Sequence, residues 1–110
     1  MAEYLQIITT TEKRVEAEKI ARVLVEGGLA ACVQIVGPIT STYSWKGRVE
    51  TAEEWQCLIK TRAGLFGEVE RSIKSVHSYE TPEIIALPII AGSREYLGWM
   101  EEVLPPENQL

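Results

Sequence analysis

Residues 30–61 read "AACVQIVGPITSTYSWKGRVETAEEWQCLIKT". Two β-prone runs, 30–45 and 48–61, flank Lys46-Gly47, and a two-residue turn between two such arms is a hairpin signal. That turn sets Trp45 opposite Arg48. Carried unbroken, the register would place Ile35 opposite Leu58 and Val33 opposite Lys60. Gly37-Pro38 interrupts the first arm, and a proline, which cannot donate a ladder hydrogen bond, marks a bulge or an edge. One extra residue there brings Ile35 opposite Cys57 and Val33 opposite Ile59. The apolar face then becomes consistent, as a half-buried sheet requires. The sequence therefore predicts a long hairpin with a bulge at Gly37-Pro38. In either register Cys32 and Cys57 are several residues apart along the ladder, which at ~3.3 Å per residue is too far for a disulfide.

Working outward, "YLQIIT" (4–9) is a short β-rich run. Thr10 or Thr11 can cap the segment "EKRVEAEKIARVLVEG", whose apolar Val15, Ala17, Ile20, Ala21 and Leu24 fall close to helical spacing. Glu18 and Arg22 form an i,i+4 pair, and Gly27-Gly28 supplies the left-handed stop. After the hairpin, "AGLFGEVERSIKSVHS" carries Phe66, Val69, Ile73 and Val76 at steps of 3, 4 and 3, an amphipathic helix with a Glu70–Lys74 pair. "PEIIALPIIA" (82–91) is an apolar strand in which Pro88 signals an edge or a bulge. Ser93 can cap a last helix bearing Tyr96, Leu97, Met100 and Leu104 on one face. The order β-α-β-β-α-β-α is two βαβ halves joined by a hairpin. This is an α+β class, a ferredoxin-like βαββαβ sandwich with an extended β2–β3 hairpin and a C-terminal helix, both main helices covering one face of an antiparallel sheet.

The 110 residues suit a single domain, 1–110, with 45% hydrophobic and 25% charged residues. The net charge is −5 and no basic stripe appears, so neither nucleic acid nor an anionic membrane is an expected partner. There is no basic head followed by an apolar stretch and no apolar run of spanning length, and the two cysteines form no CxxC pair. A cytoplasmic protein with reduced thiols is the expectation.

The hairpin argues for company. Arms of about 14–16 residues reach roughly 45–50 Å at the rise of a strand, while a globule of this length has a radius of gyration of only ~13 Å. The hairpin must overshoot its own body, bend, or lie on another subunit. In the bulged register Val33, Ile35, Cys57 and Ile59 face the helices. Cys32, Gln34, Val36 and Leu58 face away, where only the short last helix remains to cover them. A partly apolar open face and long bare edges want a partner, and a closed homo-oligomer covers both.

The stretches "AACVQI", "TSTYSWKGRVE", "EEWQCLIKT", "HSYETPEIIALPI" and "YLGWM" stand in the order and spacing of the CutA family of divalent cation tolerance proteins. The resemblance runs from about Tyr4 to Met100. It implies a ferredoxin-like fold, a tight homotrimer and a shape like the PII signalling proteins, which bind effectors between subunits. It also implies a link to copper and other divalent cations, with no established reaction. This sequence departs from copper-binding members that carry a cysteine near the end of strand 1 and a tandem His-His before the "YxTPE" segment. Thr9 and Val76 occupy two of those places and leave His77 alone.

His77, the single histidine, reads in two ways. At a helix end it is a C-terminal cap whose charged form favours the dipole. As an imidazole it is a ligand for copper or zinc, with Cys32 and Glu54 as the metal partners and Glu50, Glu80 and Glu83 within reach. Cys32 alternatively fills the core as a small hydrophobe. Tyr43, Trp45, Glu50, Lys60 and Tyr79 form the candidate ligand cleft between subunits; the bland alternative for the aromatics is packing at an interface.

Three functions compete. The first is a non-catalytic homotrimer for divalent metal tolerance, binding Cu2+, another divalent cation or a small effector at inter-subunit clefts, with no required cofactor. The second is a PII-like signalling module that acts through a protein partner, disfavoured by a short-turned, strand-like hairpin where a mobile docking loop is needed. The third is an enzyme with Cys32 as nucleophile and His77 as base, for which no motif speaks.

Overall fold

The computed structural model describes residues 3–106. Its elements are β1 (Tyr4–Thr11), α1 (Arg14–Glu26), β2 (Cys32–Trp45), β3 (Arg48–Arg62), α2 (Phe66–Val76), β4 (Ile85–Ile89) and α3 (Arg94–Val103), with a 3-10 turn at Ala63–Leu65 leading into α2. The four strands make one antiparallel sheet in the order β2-β3-β1-β4, the expected ferredoxin-like arrangement.

The hairpin register is the bulged one. Trp45 pairs with Arg48, Ile35 with Cys57 and Val33 with Ile59, and the ladder slips between Val36 and Ile39. Lys46 and Gly47 turn with φ of 50° and 78°, the left-handed pair that matches the strands' own twist. Val33, Ile35, Cys57 and Ile59 meet Ile7 of β1 and the apolar faces of the two main helices, Ala17, Ile20 and Leu24 from α1 and Val69 and Ile73 from α2. Pro88 lies in β4, an edge strand.

Local details differ from the sequence reading where distant pairing intervenes. Neither Thr10 nor Thr11 caps α1, because β1 continues to Thr11 opposite Trp55. Lys13 is the cap residue; its backbone N–H donates to Glu16 Oε1 at 3.1 Å, and the Thr11 hydroxyl donates to the Lys13 carbonyl at 2.9 Å. Glu18 pairs with Arg14 at 3.1 Å rather than with Arg22, which instead holds Glu26 at 2.6 Å. Arg22 and Glu26 are largely solvated, so the exchange of partners matters little energetically. Glu70 and Lys74 pair as expected at 3.2 Å. Ser93 caps α3, its hydroxyl accepting from the Tyr96 N–H at 3.2 Å.

The molecule measures 44 × 26 × 22 Å with a radius of gyration of 14.6 Å, longer than a compact chain of this size. On the sheet face turned from α1 and α2, Val36, Ile85 and Leu87 remain 43–48% exposed. Among the described residues no helix is long and apolar enough to cross a membrane.

Candidate functional site

Helix α2 ends where His77 turns extended, at φ −81° and ψ 141°. The ring folds back against the sheet. The Tyr79 N–H donates to His77 Nδ1 at 3.1 Å, so the ring proton resides on Nε2, which donates to the Thr10 carbonyl at 2.8 Å. The His77 and Tyr79 rings stand 4.9 Å apart. His77 therefore pins the 77–83 loop to the end of β1. In this arrangement both ring nitrogens are hydrogen-bonded within the chain.

The pinned loop delivers Tyr79 to β3. Its hydroxyl donates to Glu54 Oε2 at 2.7 Å. Glu54 stands opposite Ile39, immediately past the bulge, and is only 6% exposed. Burial, then the hydrogen bond to Glu54, then the charge of Glu54 push the Tyr79 phenol above its ordinary value. Burial, followed by the Glu54 charge, also raises the Glu83 carboxyl. Between the loop and the hairpin lies a cleft of about 790 Å³, walled by Ser41, Tyr43 and Trp45 of β2 and by residues 78–83, with Glu54 and Thr10 from β3 and β1. A smaller depression of about 420 Å³ runs along the solvated side of α1 and is bounded by that helix alone.

The structure thus unites Tyr43, Trp45, Tyr79 and Glu54. It does not bring in the rest. Glu50 pairs with Tyr43 farther out on the hairpin and does not line the cleft. Lys60 lies opposite Cys32, and its ammonium donates to Gln34 Oε1 at 2.5 Å. That point is six residues along β3 from Glu54, roughly 20 Å at strand rise. Cys32 shares that distance. It sits instead beside the Tyr96 hydroxyl, which burial and this thiol neighbour raise. The set His77, Cys32 and Glu54 therefore does not converge within one chain, and among the described residues no three His, Cys, Asp or Glu side chains gather closely enough to chelate an ion. Cys57 is fully buried, donates to the Ala17 carbonyl at 3.7 Å, and has its thiol pushed up to about 11 by burial. Thr9 is fully buried with its hydroxyl unpartnered, and Val76 packs against the core.

Sequence reasoning missed Ser41 and Thr10 as cleft residues. Ser41 was legible in principle, since it shares strand parity with Tyr43 and Trp45. Thr10 was hidden by ending β1 at residue 9.

Comparison with known proteins gives a consistent outcome. The family model described as CutA1 divalent ion tolerance protein matches residues 5–103. The divalent-cation tolerance protein CutA of Thermus thermophilus is 45% identical over 100 residues, covering 91% of this chain and 96% of that protein. A solved structure of the Thermus thermophilus divalent cation tolerance protein superimposes with a TM-score of 0.90 at 41% identity, over 93% of this chain and 99% of that one. The periplasmic divalent cation tolerance protein CutA of Archaeoglobus fulgidus superimposes with a TM-score of 0.88 at 44% identity, over 91% of this chain and 97% of that one.

Proposed function

This chain belongs to the CutA1 divalent ion tolerance family, and on that premise we propose that it is a non-catalytic homotrimer whose clefts, closed by neighbouring subunits, take up divalent cations, copper among them, or a small effector. The observation that carries this reading is Glu54: a buried carboxylate that opens on a cleft and has no cationic side chain paired with it among the described residues. A buried charge left without a counter-charge is costly, and a bound cation supplies one.

The donor set decides how such a cation is held. The cleft offers the oxygens of Glu54, Glu80 and Glu83, and its neighbour His77 has both nitrogens engaged. That set does not fit a chelated copper centre within one chain. It suits a hydrated ion held through its water by carboxylates. The separation of Cys32 from Glu54 and from the His77 loop supports a non-catalytic role, because a thiol nucleophile needs its base within hydrogen-bond reach. The two free cysteines suit a reducing, cytoplasmic setting. The uncovered sheet face and the overshooting hairpin support the trimer.

Two measurements test the reading. Sedimentation at micromolar concentration should give a trimer, and Leu87→Lys, on the uncovered face, should give a monomer; a folded wild-type monomer would remove the shared cleft. Calorimetry with Cu2+ and Mn2+ should show binding weakened ~10-fold or more by Glu54→Gln, the loss of one charged partner. Equal isotherms for both proteins would remove the cleft from the account.

A further inference from the structure

We propose that the cleft is shaped for an organic ammonium ion, a primary amine seated between the Glu54 and Glu83 carboxylates with its alkyl chain lying along Tyr43 and Trp45. The proposal rests on the cleft reading above and names the ligand class within it.

Four observations lead there. Glu54 is 6% exposed and lines the cleft. Its Oε2 accepts from Tyr79, while no donor among the described residues reaches Oε1. Glu83 enters from the loop on the other side and senses the Glu54 charge, Glu80 adds a third carboxyl to the lining, and no lysine or arginine lines the cleft among the described residues. The hairpin wall is aromatic: Tyr43 and Trp45 are 43% and 39% exposed in the single chain. Trp45 already has one ammonium over its ring, the Lys46 Nζ at 5.5 Å. The cleft volume of about 790 Å³ lies within the range of small-molecule sites, about 300–1,000 Å³, and far exceeds what one bare ion fills.

The chemistry separates two kinds of cation. A divalent metal wants six or more oxygens around it and gains nothing from an indole face beyond its charge. An ammonium carries three N–H donors, which the two carboxylates and the Ser41 hydroxyl can accept, and its methylenes bury against aromatic carbon. Three metal ligands close enough to chelate an ion are not found among the described residues; carboxyl groups spread along a cleft with an aromatic wall are. The same pairing of charge and ring faces gives the site its selectivity: a neutral molecule of equal length leaves the carboxylates unpaired, and a bare ion leaves the rings wet.

Calorimetry on the full chain tests this with 1,4-diaminobutane, 1,4-butanediol as its neutral counterpart, and Mn2+. The diamine should bind and the diol should give no heat. Glu54→Gln, which keeps an acceptor for Tyr79, should weaken the diamine at least ~10-fold, and Trp45→Ala should weaken the diamine more than Mn2+. Equal binding of diamine and diol overturns the proposal, as does a diamine isotherm indifferent to both substitutions. If Mn2+ responds to Glu54→Gln while the diamine does not bind, the ammonium proposal falls and the cation cleft stands. If neither cation responds, the cleft itself falls. Circular dichroism checks the fold of each variant, and Glu83→Gln carries the same comparison should Glu54→Gln fail to fold.

Discussion

Tyr79 donates its phenolic proton to Glu54 across 2.7 Å, and this bond ties the loop after α2 to the hairpin side of the sheet. It satisfies half of a buried carboxylate and fixes one wall of the cleft. Removing the hydroxyl while keeping the ring isolates that role. Tyr79→Phe should cost about 1–3 kcal/mol, the penalty for leaving a buried acceptor without its donor, read as a lower denaturant midpoint at fixed protein concentration. A midpoint equal to wild type would show that water replaces the phenol without loss.

His77 should report its tautomer directly. With Nδ1 accepting from the Tyr79 N–H and Nε2 donating to the Thr10 carbonyl, long-range nitrogen–proton correlation spectra should show an unprotonated Nδ1 and a protonated Nε2. Adding Zn2+ at equimolar concentration should leave these resonances in place. A zinc-dependent shift of either ring nitrogen would identify the imidazole as a ligand.

Cys57 gives stability a pH dependence with a defined sign. Its thiol, buried against the Ala17 carbonyl, titrates at about 11 in the folded chain, above the ordinary value of 9.0. A folded pKa above the unfolded one contributes stability that is complete below the unfolded value and is lost as pH rises through the folded one. Denaturation midpoints should therefore decline between about pH 9 and 11, and Cys57→Ala should flatten that decline. At pH 8 the native Cys57 should resist thiol reagents that modify it after unfolding. A midpoint that holds level through this range in wild type would argue against the buried thiol as its source.

Gly37 lies under the Trp55 ring, and a Cβ added there would meet Trp55 Cε3 at 2.5 Å. Gly37→Ala must push the indole off its seat, where Arg14 stacks at 5.1 Å. The substitution should cost about 1–3 kcal/mol, as overpacking does, and alter tryptophan emission. In Gly37→Ala combined with Trp55→Leu, most of the destabilisation added by the alanine should vanish, because the atom it strikes is gone. Purely additive effects in that double-mutant cycle would place the cost elsewhere.

The fold was readable because the decisive signal is periodic. Val33, Ile35, Cys57 and Ile59 could share a face in only one of the two registers considered, and Gly37-Pro38 marked where the slip occurs. The Ser93 cap, the spacing of α2 and the edge position of Pro88 follow equally local rules. The site resisted for the opposite reason. Nothing near Glu54 in sequence says that it is buried while its neighbour Glu53 is exposed; that depends on Tyr79, 25 residues away. Lys60 and Cys32 carry suitable chemistry on the same side of the sheet as Glu54, but strand rise places them at its far end. His77 looked available because its second partner, the Thr10 carbonyl, is 67 residues distant. Even the helix cap was misjudged through a remote cause, since Thr11 is held in the ladder by Trp55.

The outer half of the hairpin, from Ile39 round the Lys46-Gly47 turn, encloses no interior of its own. On the trimer proposed above, dilution should therefore act on this molecule as a denaturant does. Where sister chains are scarce, that ribbon has little beyond its own ladder to hold its shape, and the apparent melting temperature should climb with the logarithm of protein concentration. In that proposed assembly, rigidity of the cleft, whose Tyr43–Trp45 wall belongs to the same ribbon, becomes a property of how crowded the protein is with copies of itself.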